Sequence, residues 1–294
     1  METIERLNRK LSSYGDLRDI VSTMKSLSAA SIHQYEKAVH SLEEYQRTVE
    51  LGLHIVLRES EIPAARQPRK DERLAAVIFG TDYGLCGRFN EEITEYALQR
   101  MDSMVANPER NILVVGMRAA ELLEQAGQPV NKTENLPGTA NQITALVQDL
   151  LIQIDHWRDN PGVEWLYLFH NRPGGRSSYR PSSLHLLPLH MKRFHRIEEK
   201  AWPSRNLPTY TMEQKALLSS LLRQYFFISL FRTCAESQAA EYGSRLAAMQ
   251  AAERNMNERI DEVNGQYRRA RQEAITTELL DVVAGFEAVS GENL

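Results

Sequence analysis

Proline is missing from both ends of this chain. All eleven prolines lie between Pro63 and Pro208, so each flank lacks the residue that most reliably ends a helix. Cysteine is nearly absent too: Cys86 and Cys234 stand far apart in sequence, with no CxxC or metal-ligand spacing. That excludes a disulfide framework and fits a reducing, cytoplasmic compartment. No apolar run approaches the roughly 18 uncharged residues of a membrane span; the richest, Tyr225 to Phe231, stops at Arg232. Positive charge is not in excess either, since the formal net charge is -4, and general nucleic-acid binding is not expected. The first residues, Met1-Glu-Thr-Ile-Glu-Arg, show neither the basic start and apolar core of a secretion signal nor the Arg/Ser bias of a transit peptide.

What is present is periodicity. From Ala239 onward small or apolar residues return at steps of three and four: Tyr242, Leu246, Met249, then Met256, Ile260, Val263, Tyr267, Ala270 and Ala274. That spacing predicts a helix with one narrow apolar seam. A helix of roughly 75 residues extends about 110 Å, too far to be buried by its own domain. The N-terminal flank repeats the pattern at Ile4, Leu7, Leu11, Tyr14, Leu17, Val21, Met24 and Leu27, and again from Tyr35 to Val56. A globular segment separates the arms and returns the chain, so they pair most simply as an antiparallel coiled coil, the C-terminal helix protruding. Two unrelated amphipathic helices packed on the middle would be the plainer arrangement. Gly15, Gly52, Gly243 and Gly265 are candidate bends or close approaches.

The predicted organisation is an N-terminal coiled-coil helix over 1–60, a Rossmann-like α/β domain over 71–207 and a C-terminal coiled-coil helix over 209–290. The middle contains the buried-strand run Leu74 to Phe79, a glycine loop, and a helix from Asn90 to about Met104. A strand at Asn111 to Val115, a helix from Met117 to Ala126 closed by Gly127, a helix from Ala140 to Trp157, a strand at Val163 to Phe169, and a return strand ending near Leu189 follow. That alternation predicts a mostly parallel sheet. Residues 192–208 read as irregular chain, and Thr211 to Gln214 has capping-box spacing.

The chemistry is sparse. Gly80, Gly84 and Gly87 sit where backbone amides can cradle a phosphate, but Arg88-Phe89 stands where a P-loop has Lys-Ser/Thr, and the loop is not GxGxxG. A tight strand-to-helix crossover is the simpler reading. His185, His190 and His195 lack a carboxylate-rich shell, and Ser177, Ser178, Ser182 and Ser183 have no nucleophile-elbow context. No catalytic residue, cofactor site or metal site is predicted.

Three stretches nevertheless resemble a known family. Glu241-Tyr-Gly-Ser-Arg-Leu-Ala-Ala-Met249 is similar to E-x-x-x-R-x-x-A-M, and Tyr267-Arg-Arg-Ala-Arg-Gln-Glu-Ala-Ile-Thr-Thr-Glu-Leu279 to Y-N-x-A-R-Q-x-x-I-T-x-E-L. Gly84-Leu-Cys-Gly87 with Asn90 resembles D-R-G-L-C-G-G-L-N after the first strand, and the Met24 region and Leu186-Leu-Pro-Leu189 agree. These are motifs of the gamma subunit of F-type ATP synthases, and the resemblance spans the chain. It implies a central rotor stalk, one copy per complex, whose helices turn inside a ring of alpha and beta subunits. Its α/β domain would sit against epsilon and the c-subunit ring, peripheral to the cytoplasmic face of a bacterial inner membrane. It also implies no catalytic site of the chain's own. Subunit contacts would fall to Met24, Arg245, Arg271, Gln272, Thr276 and Glu278, with Gly84, Cys86, Gly87 and Asn90 as the structural loop. Ser22 and Ser31 stand where the family usually has lysine, Asp82-Tyr83 stands for D-R and Arg88 for the second glycine, marks of a divergent branch. Paired cysteines of the redox-regulated chloroplast form are missing, so no thiol switch is expected. The readings set against a rotor stalk are a non-motor coiled-coil scaffold and an α/β enzyme with helical arms.

Overall fold

A computed structural model describes residues 3–58, 72–104, 110–159, 163–174, 178–188 and 209–291; the side chains of 58 and 286–291 lie outside the description. The order is α1 (Ile4–Ser41), α2 (Glu43–Arg58), β1 (Leu74–Phe79), α3 (Phe89–Met104), β2 (Arg110–Val115), α4 (Met117–Gln125), β3 (Lys132–Glu134), α5 (Ile143–Asp159), β4 (Trp165–Pro173), β5 (Tyr179–Leu187) and α6 (Gln214–Gly291). The expected irregular chain at 192–208 falls outside the described residues.

The sheet runs β3-β2-β1-β4-β5. β1 pairs in parallel with β2 and β4, β2 in parallel with β3, and β4 antiparallel with β5. β1 is buried at every position, as a strand covered on both faces must be. Ala75, Val77 and Phe79 join a core with α2, α5 and the Tyr225–Ala239 stretch of α6. Leu74, Ala76 and Ile78 face the other way, onto Ile93, Ala97 and Met101 of α3 and Leu123 of α4. The apolar sequence of β1 thus follows from burying alternate residues against different helix layers.

Several boundaries differ from the sequence reading. The N-terminal arm breaks at Leu42 and runs on through Gly15 and Gly52; Gly52 marks a close approach, where a Cβ would stand 3.0 Å from the Leu221 side chain. There the Ser41 hydroxyl donates to the Ala38 carbonyl at 2.9 Å, and the Leu42 amide turns to Val39 at 3.2 Å, the competition by which serine disrupts a helix. β3 is an extra edge strand, Lys-Thr-Glu, too short and polar to announce itself. The helix expected from Ala140 opens as a 3-10 turn over Ala140–Gln142. α6 starts at Gln214, with the Glu213 carbonyl accepting from Leu217 at 3.0 Å, so Thr211 lies too early to cap it.

The chain divides into two compact units, residues 28–246 and residues 1–27 with 247–294. In the first, the α/β layers pack with the later part of α1, α2 and the early part of α6. The helices run antiparallel: Tyr35 stacks on Tyr242 with centroids 5.7 Å apart, Arg232 reaches Gln46 at 3.0 Å, and Gln214 donates to the Val56 carbonyl at 3.2 Å. In the second unit, Leu7, Val21, Met249 and Val263 are buried, and Lys25 pairs with Glu253 at 2.6 Å. Along α1 the buried positions Leu7, Val21, Ser28 and Tyr35 are spaced by multiples of seven. Leu17 and Leu27, expected in the seam, are exposed.

Candidate functional site

Two regions answer to the sequence motifs. The first is the loop between β1 and α3. Asn90, buried in the first turn of α3, accepts the Thr81 amide on Oδ1 at 2.9 Å and donates to the Thr81 hydroxyl at 2.8 Å. Asp82 accepts two backbone amides, Met117 at 3.1 Å on Oδ1 and Leu136 at 3.0 Å on Oδ2, tying the loop to the start of α4 and to the chain after β3. The Gly80 amide donates to Val115. A Cβ at Gly80 would stand 2.2 Å from that of Ala119, and one at Gly116 only 2.7 Å from the Thr81 nitrogen; glycine is required here for backbone approach. The amides of Gly80 and Thr81 are therefore committed within the fold, and α3 opens with Glu91 and Glu92 in its first turn. That charge opposes an anion at a helix N-terminus.

α6 closes over this loop. The Ser244 hydroxyl donates to the Cys86 carbonyl at 2.6 Å, and Arg245 donates to the Gly84 carbonyl at 3.4 Å. Arg245 also pairs with Glu241 at 2.6 Å and lies 5.4 Å over the Tyr242 ring. Glu241 and Arg245 are 4% and 8% exposed. Burial pushes the Glu241 carboxyl up to about 7, against the opposing pull of Arg245. Arg245, which the resemblance assigns to a subunit contact, is turned inward, its guanidinium engaged within the chain. Cys86 is 1% exposed, packed with Phe89 and Ala240, and burial raises its thiol pKa. Gly84 and Gly87 are exposed, and Gly87 holds φ +64°, a conformation glycine adopts freely.

The second region is the end of α6. Every residue from Arg271 to Gly285 is exposed, including Ile275, Leu279, Leu280, Val282 and Val283, of which Leu279 is 62% exposed. Ala274, expected in the coiled-coil seam, belongs to this open stretch. Arg271, Gln272, Thr276 and Glu278 all stand here in the open, the Thr276 hydroxyl donating to the Gln272 carbonyl at 2.9 Å. Met24, on α1, is half-buried.

One cluster escaped the sequence reading. Glu236, in the buried stretch of α6, accepts from Arg232 at 2.8 Å and lies 3.1 Å from His170 of β4. Burial alone would raise its pKa, but the His170 and Arg232 hydrogen bonds outweigh it and hold the carboxyl at about 2. The available signal was Glu236 one turn after Arg232 in a helical stretch of small residues, where a buried carboxylate requires a partner. Of the three periodic histidines, His185 stacks against Trp165 and Tyr167, while His190 and His195 lie outside the described residues. Among the described residues no group of three His, Cys, Asp or Glu is placed to hold a metal, and no helix is long and apolar enough to cross a membrane.

Comparison with known proteins agrees with the motifs. The family model described as ATP synthase matches residues 3–289. The ATP synthase gamma chain of Geotalea uraniireducens is 28% identical, over 99% of this chain and 100% of that protein; that of Bacteroides fragilis is 28% identical over 98% and 100%. Among solved structures, a rotor chain of the Euglena gracilis mitochondrial ATP synthase superposes with a TM-score of 0.65 at 18% identity, covering 92% of this chain and 98% of its own. With the fold, the loop and the helix motifs in place along its whole length, the chain belongs to the ATP synthase gamma-chain family.

Proposed function

We propose that this chain is the central rotor stalk of an F-type ATP synthase, turning with the c-subunit ring and transmitting its rotation to the alpha and beta subunits. The observation that carries the reading is the stretch of α6 from Arg271 to Gly285, exposed at every position and bearing five large apolar side chains. A helix that leaves large apolar side chains exposed along its length requires a surface to cover them. Arg271, Gln272, Thr276 and Glu278 supply polar groups on that stretch. A guanidinium meeting a carboxylate across an interface forms a charge-assisted, often bidentate contact. Met24 contributes from α1, and Arg245 acts through the helix it braces.

The α/β domain serves as the foot, against epsilon and the c ring, one copy per complex at the cytoplasmic face of a bacterial inner membrane. Catalysis belongs to the ring. The glycine loop has no phosphate-binding lysine, and its Gly80 and Thr81 amides already serve the fold. The isolated chain should show negligible ATP hydrolysis and should co-assemble with alpha and beta subunits into an active ring. Turnover by the chain alone, abolished by Asp82→Ala, would overturn the reading. Failure to assemble with any nucleotide-hydrolysing ring would favour a coiled-coil scaffold instead.

A further inference from the structure

The Glu236 cluster borders a polar cavity of about 160 Å³, the share of liquid volume of about five waters at roughly 30 Å³ each. Four elements converge on it: α2, β4, β5 and α6. Glu236 takes the Nε of Arg232 at 2.8 Å, His170 Nε2 at 3.1 Å, and the Nε of Arg172 at 3.5 Å. Arg232 spends its Nη1 on Gln46. Among the described residues, both Nη groups of Arg172 and the Nη2 of Arg232 keep donors without a partner. A guanidinium offers five N–H donors in a fixed fork, so one carboxylate cannot satisfy two of them. The hydroxyls of Ser182, Ser229 and Thr233 line the same cavity and make no hydrogen bond among the described residues. His170 is only 4% exposed, yet its Nδ1 has no partner.

We infer that this cavity binds a small tetrahedral oxyanion of the size of inorganic phosphate, held between the Arg172 and Arg232 guanidinium groups and the hydroxyls of Ser182, Ser229 and Thr233. The two arginines outnumber the single carboxylate of Glu236, and charge-assisted donation from arginine is the strong form of oxyanion recognition. Size and charge exclude a nucleotide. The adjoining 320 Å³ cavity, through which a nucleoside would have to extend, is bordered by the carboxylates of Glu36, Glu43 and Glu236, which repel a polyphosphate. The site is independent of the rotor reading, since it lies within the α/β unit and touches none of the proposed coupling residues.

The test is isothermal titration of the full chain alone with inorganic phosphate, ionic strength held constant with sodium chloride, alongside a parallel titration with ADP. Saturable phosphate binding absent with chloride is expected, with Arg172→Gln weakening it at least tenfold and Arg172→Lys less. Ser229→Ala leaves every ion pair in place and should weaken binding a few-fold in a chain whose circular dichroism matches the parent. Heat no larger than that of chloride, unchanged affinity in both Arg172→Gln and Ser229→Ala, or ADP bound more tightly than phosphate would each overturn the inference.

Discussion

Glu241 and Arg245, one turn apart on α6, are paired at 2.6 Å beneath the β1–α3 loop, and the same arginine reaches the Gly84 carbonyl at 3.4 Å. A helix-internal ion pair thereby doubles as the clasp between the long helix and the α/β domain. Removing one member of a buried pair leaves the other uncompensated, at a cost of about 3 kcal/mol or more. Arg245→Ala should therefore lower the denaturation midpoint of the isolated chain, while the exposed Arg259→Ala should not. Equal midpoints for the two variants in urea would show that the clasp contributes nothing.

The Glu241 carboxyl also sets a pH dependence. Its folded pKa is raised by burial from 4.5 to about 7, so between those values the folded chain binds more protons than the unfolded one. Stability from this group is full below about pH 4.5 and is lost as pH rises through 7. Glu236 has the opposite sign: its folded value is lowered to about 2, and its contribution is full above about pH 4.5 and lost as pH falls toward 2. Glu241→Gln should flatten the alkaline side of the stability profile and Glu236→Gln the acid side. Urea midpoints measured from pH 3 to 8 check both, and identical slopes in parent and variants would contradict them.

Much of this was legible from residues alone. β1 betrayed its double burial by being apolar at every position, and the Pro-free arms announced two long helices. The stripe of α1 is narrower than its apolar residues suggest, because sequence shows which positions are apolar but not which of them a partner helix covers: Leu7, Val21 and Tyr35 are buried while Leu17 and Leu27 stay exposed. The inward turn of Arg245 is not legible in sequence, because Glu241 four residues earlier reads equally as the partner in a solvated i, i+4 pair. β3 and the Glu236 cluster could not be read because both depend on neighbours distant in sequence: an edge for three polar residues to pair with, and a histidine 66 residues away from its carboxylate.

Cys86→Ser should cost about 1–3 kcal/mol if the buried hydroxyl is left without a partner, and Cys86→Ala less. Both thiols are buried and their pKa values raised by that burial, so neither should react with a thiol reagent faster than the chain opens. Labelling of Cys86 in the folded chain at the rate of a free thiol, or an oxidant response lost in Cys86→Ala, would contradict this.

Arg271→Ala should leave the isolated chain as helical and within about 0.5 kcal/mol as stable as the parent, since the residue is exposed. In the assembled complex the same change should reduce ATP hydrolysis or its coupling to ion movement. Unchanged rates and unchanged assembly would remove Arg271 from the proposed contacts.

The central claim is that this chain turns within its complex. With the catalytic ring fixed to a surface and a bead attached to a cysteine introduced at the exposed Tyr83, single-molecule recording in the presence of ATP should show sustained rotation in one direction, stopping when ATP is removed. A bead that only fluctuates about a fixed angle, on complexes that hydrolyse ATP at their normal rate, would contradict the rotor account.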